Sequence, residues 1–63
     1  MTMTPKEMVK YLKKHGFVKD KSPDGSHQNL SNPKTGYRTT VPMHSKELGK
    51  GLEQAILKQA GLR

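Results

Sequence analysis

The chain has no cysteine among its 63 residues. That excludes a disulfide framework and any thiolate metal site. Acidic residues are scarce, with 5 Asp+Glu against 12 Lys+Arg and a formal net charge of +7. No apolar run approaches the roughly 20 residues of a membrane span, and no signal-peptide apolar region is present. A soluble, intracellular, cytoplasmic chain is therefore expected. His15, His27 and His44 are too far apart in sequence to form a short ligand spacing, so neither zinc nor another cofactor is expected. Sixty-three residues hold one domain, 1–63, with one modest core near the lower size limit for folding without staples.

What the chain does have is positive charge, and charge bears on partners more than on fold. Polyanions are the first candidate partners, and an acidic protein is the second. Lys10, Lys13, Lys14, Lys19 and Lys21 cluster near the start of the chain, with Arg38, Lys46 and Lys50 further on. Most such lysines are simply solvated.

The ends of the chain carry clear helix signals. Thr4-Pro5-Lys6-Glu7 combines an N-cap hydroxyl, a proline at the first helical position and a glutamate at N3, a capping box. Met8, Val9, Tyr11 and Leu12 follow at helical spacing, and Gly16-Phe17 suits a left-handed C′ residue whose successor folds back. A first helix is predicted over Pro5 to His15. A second has Leu52, Ala55, Ile56 and Ala60 on one face and ends at Gly61-Leu62. Its start lies between Ser45 and Lys50, because Gly49 and Gly51 weaken an early first turn.

Between the helices the pattern is one of strands and turns. Phe17 to Asp20 is a short strand closed by Ser22-Pro23-Asp24-Gly25. Ser26 to Leu30 forms a second strand, and the β-branched run Tyr37 to Val41 a third, stopped by Pro42. Short connections favour an antiparallel meander. The predicted class is α+β, ordered α-β-β-β-α, with two helices on one face of a three-stranded antiparallel sheet. Met8, Leu12, Phe17, Leu30, Val41, Leu52 and Ile56 read as core. Alternation puts His27 and Asn29 on one face of the second strand and Leu30 on the other, so a buried Leu30 leaves His27 exposed. If the third strand buries Tyr37, Thr39 and Val41, Arg38 and Thr40 share the open face with His27.

Imidazole is the side chain suited to both taking and giving protons near neutral pH. On a cationic surface it points to acid–base chemistry on nucleic acid, above all RNA. Metal-free RNA cleavage needs a base for the 2′-OH, an acid for the departing 5′-oxygen and cations for the phosphorane. His27 meets the first need, and cationic side chains with backbone N–H groups at Gly25 meet the third. The acid stays open among His27 itself, a lysine, Tyr37 and water. His15 reads as a cation at a helix C-terminus, and His44 as a loop anchor.

The helix ending in Gly-Phe, Gly25-Ser26-His27, the Val-Pro-x-His of 41–44 and Ile-Leu-Lys-Gln-Ala-Gly-Leu at 56–62 together resemble the HicA family of toxin–antitoxin toxins. The resemblance runs from about Met3 to Leu62. It implies a fold similar to the double-stranded RNA-binding domain and a ribosome-independent mRNA endoribonuclease (mRNA interferase). It also implies a HicB-type antitoxin that forms an inhibitory complex. By residue type alone His27 reads as an ordinary strand residue; the resemblance makes it the catalytic histidine. Many members have a second histidine directly after it, where this chain has Gln28, so adjacent histidines cannot share the work here. Gly25, Ser26, Arg38, Lys46 and Lys50 are the expected RNA contacts, the last two because double-stranded RNA-binding domains set lysines against phosphate at the start of their last helix. The rival classes are a non-catalytic RNA-binding module and a DNA-binding or adaptor protein matched to an acidic partner.

Overall fold

The computed structural model describes residues 3–21, 25–43 and 46–63. The expected turn residues Ser22, Pro23 and Asp24, the loop anchor His44 and the alternative cap Ser45 lie outside the described residues. The elements are α1 (Pro5–Lys14), β1 (Val18–Lys19), β2 (His27–Ser31), β3 (Arg38–Pro42) and α2 (Lys50–Gln59). All three strands pair antiparallel in the order β1-β2-β3. The fold is α+β, as the sequence implied.

Helix α1 begins where its local chemistry requires. Glu7 N donates to Thr4 Oγ1 at 3.2 Å while Thr4 N donates to Glu7 Oε1 at 2.8 Å, so both halves of the capping box are made. Thr4→Ala should therefore cost about 1 kcal/mol. In a domain this small that lowers the melting temperature by roughly 4–8 °C. An unchanged melt by circular dichroism would show that the box contributes nothing.

Both helices end in the same device. Gly16 N bonds Lys13 O and Phe17 N bonds Leu12 O; Gly61 N bonds Lys58 O and Leu62 N bonds Leu57 O. This is the Schellman pattern, with the glycine at C′ in left-handed backbone (φ 95° at Gly16, 72° at Gly61). It turns the next residue, Phe17 or Leu62, back toward the core. Gly61 has a second reason to lack a side chain: a Cβ there would sit 2.5 Å from Tyr37 Cε2.

One apolar cluster joins both helices to one face of the sheet: Met8, Val9 and Leu12 from α1, Leu30 and Val41 from the strands, Ile56 from α2, with Phe17, Leu48 and Ala60. Two expectations change here. Leu52 is 41% exposed and Ala55 is exposed, and the buried leucine is Leu48. The cause is the late start of α2, at Lys50 after a Gly49 cap that makes no side-chain hydrogen bond. The extended segment before the helix delivers Leu48 to the core, held by Leu48 N to Met3 O at 3.0 Å. Tyr37 is 49% exposed because β3 begins one residue after it, so it lies on the rim against Gly61. β2 is likewise shifted by one residue, to His27–Ser31, and β1 is shorter than expected. Pro42 is the last residue of β3, a position that a residue without an N–H can take.

Polar groups fasten the remaining connections. Asn32 is buried; its Nδ2 donates to His15 O at 3.2 Å and its Oδ1 accepts from Lys34 N at 2.9 Å, which locks the β2–β3 loop to the end of α1. Thr39 Oγ1 donates to Gln59 Oε1 at 3.0 Å, joining β3 to α2.

Candidate active site

The strand register decides what surrounds His27. It is the first residue of β2 and pairs with Pro42, while Leu30, three residues further along the strand, is buried. Alternation therefore turns the imidazole to the open face, where it is exposed. Met43 N donates to Ser26 O at 2.6 Å, so pairing continues one step past the ladder and fixes the backbone entering His27. Ser26 Oγ lies 3.2 Å from His27 Nδ1. In the tautomer that carries its proton on Nδ1, that N–H donates to Ser26 Oγ and the ring's lone pair sits on Nε2. Gly25 is exposed, and an added Cβ would meet no atom within 4 Å, so its backbone is approachable.

Two residues beyond His27 on the same face, Asn29 anchors a polar row. Thr40 Oγ1 donates to Asn29 Oδ1 at 2.8 Å, and Asn29 Nδ2 donates to Lys21 O at 3.0 Å. Asp20 N bonds Asn29 O at 2.8 Å. Gln28, in the position of the second histidine, does structural work instead: its Nε2 donates to Asp20 O and to Asn29 O, both at 2.9 Å. These bonds hold the departing end of β1 beside the strand that carries His27. Sequence reasoning placed Asn29 on the right face but did not see Thr40 as its partner, which only the register reveals.

The expected RNA contacts do not all gather at this end. Arg38 pairs with Ser31, four residues along the ladder from His27, or roughly 13 Å at strand rise. Tyr37 is one step further still, beyond the reach of a proton donor acting beside His27. Lys50 is exposed at the start of α2. Lys46 shares a groove with Thr4, Pro5, Lys6 and Met43, and Met43 is bonded to Ser26. Lys6 was not singled out in the sequence, since nothing local distinguishes it from the other helix lysines. His15 lies at the opposite end of α1, its ring 4.5 Å from that of Tyr11.

The fold and this site define a small, basic α+β domain that presents the His27 imidazole at the open rim of an antiparallel sheet. Residues 5–62 match the family of HicA toxins of bacterial toxin–antitoxin systems. That match covers nearly the whole chain, and the chain belongs to the HicA toxin family. No curated protein matches it.

Proposed function

We propose that this toxin is a metal-independent endoribonuclease that cleaves mRNA, with His27 as its acid–base group. The observation that carries the reading is the exposed His27 at the head of β2, its Nδ1 beside Ser26 Oγ. His27 Nε2 takes the proton of a ribose 2′-OH. The 2′-oxygen then bonds to the adjacent phosphorus and the P–O5′ bond breaks. The products are a 2′,3′-cyclic phosphate and a 5′-hydroxyl, whose proton comes from the imidazolium so formed, from a lysine or from water. Developing charge on the phosphorane is met by backbone N–H groups around Gly25 and Ser26. Incubating the pure protein with single-stranded RNA in EDTA tests the proposal. Cutting supports the enzyme, retention without cutting supports an RNA-binding module, and neither supports an adaptor.

The antitoxin role follows from the toxin family, and its mode from the site. An acidic HicB-type antitoxin that covers the His27 face silences so small a site without rearranging the toxin. Association with a +7 partner is expected to slow as salt rises, more than release quickens. Stopped-flow binding across ionic strength measures this. A salt-indifferent association rate, in a complex that leaves His27 open yet inactive, would refute it.

A further inference from the structure

The end of the molecule that carries His27 is also where α1 begins. Thr4, Pro5 and Lys6 at the head of α1 and Met43 and Lys46 beyond β3 line one groove of about 270 Å³. Met43 lines the groove, and its N–H is spent on Ser26 O at 2.6 Å, so the groove adjoins the backbone that leads into His27. Two bonds hold the extended segment at the head of α1 in place. Met3 N donates to Glu53 Oε2 at 2.7 Å, and Leu48 N donates to Met3 O at 3.0 Å. Lys6 and Lys46 are both exposed, and no carboxylate is among the described residues that line the groove. Glu7, beside Lys6 in sequence, is turned to the Thr4 N–H in the capping box.

We infer that Lys6 and Lys46 form a two-lysine clamp on the phosphodiester backbone of an RNA strand, gripping a phosphate next to the one presented to His27. The inference rests on the endoribonuclease reading and names the part of the substrate that this groove holds. No aromatic side chain on which a base could stack is among the described residues that line the groove, while a phosphate needs only cations within reach. Its continuity with His27 through Met43 and Ser26 favours a strand running across both over an acidic protein segment. Such a contact binds ground state and transition state alike, so it acts on KM and not on kcat.

The test uses Lys6→Gln/Lys46→Gln, with Lys34→Gln in the distal β2–β3 loop as control, on two oligonucleotides of one sequence. The first is cleavable RNA, read as kcat and KM. The second is 2′-O-methyl RNA, which lacks the attacking hydroxyl, read as Kd across a salt series. The double variant should raise KM and Kd about tenfold with kcat within about twofold, and reduce the salt slope of log Kd by about 1.4, the value for two lost contacts to a single strand. Lys6→Arg/Lys46→Arg should restore both constants, and Lys34→Gln should match the parent. A double variant with the parent's melt, KM, Kd and slope overturns the clamp even though the parent cuts RNA. Loss of antitoxin affinity with those RNA constants unchanged overturns it in favour of a protein-binding groove. A parent that binds 2′-O-methyl RNA through these lysines but never cuts RNA upholds the clamp and removes the endoribonuclease reading instead.

Discussion

His27→Ala is expected to lower the rate of RNA cleavage by about 10²–10⁴, the usual loss when a positioned acid–base group is removed. The side chain is exposed at the rim of the sheet, so its removal opens no core cavity and the melt should match the parent's. Backbone bonds that hold this end, Met43 N to Ser26 O among them, involve no imidazole atom and survive the change. Retained RNA binding with lost cleavage would separate chemistry from affinity, because the cations that hold phosphate are still present. The same variant should fail to arrest growth when expressed without antitoxin. A folded alanine variant that cuts RNA at the parent's rate would remove His27 from the mechanism.

The second large effect is on stability. Phe17 is the only phenylalanine, is 2% exposed, and occupies the C″ position that α1's terminal motif turns inward. Replacing a buried phenylalanine by alanine costs roughly 3–5 kcal/mol. That is comparable with the entire stability a single core of this size supplies. Phe17→Ala should therefore be largely unfolded at 37 °C, with a broad, low-temperature transition by circular dichroism. An antitoxin that binds only the folded toxin should restore structure by mass action. A cooperative melt near the parent's would show that Phe17 is peripheral.

The sequence by itself determined the helix ends and the strand alternation, whose physics is local. The capping box at Thr4 to Glu7 and the C′ glycines at Gly16 and Gly61 act within one helical turn. Their residue types are nearly sufficient to place them. The alternation of β2 is equally short-ranged, and once Leu30 faces the core His27 has to face outward. The family was legible for a related reason, since its motifs sit at characteristic distances along nearly the whole chain.

Tertiary structure alone decided what depends on groups distant in sequence. Leu48 displaced Leu52 from the core because α2 starts late and the segment before it is tied to Met3, a contact that no local pattern encodes. Tyr37 reached the rim because β3 begins after it and Gly61, 24 positions on, leaves room for its ring. The layout of the candidate residues was decided by register. Pairing His27 with Pro42 and Ser31 with Arg38 sends the expected arginine to the far end of the sheet. The same pairing brings Thr40 to Asn29, and Lys46, beyond β3, lines one groove with Lys6. Strand faces follow from a two-residue period, whereas register and the approach of a helix end to a loop arise only when the core closes.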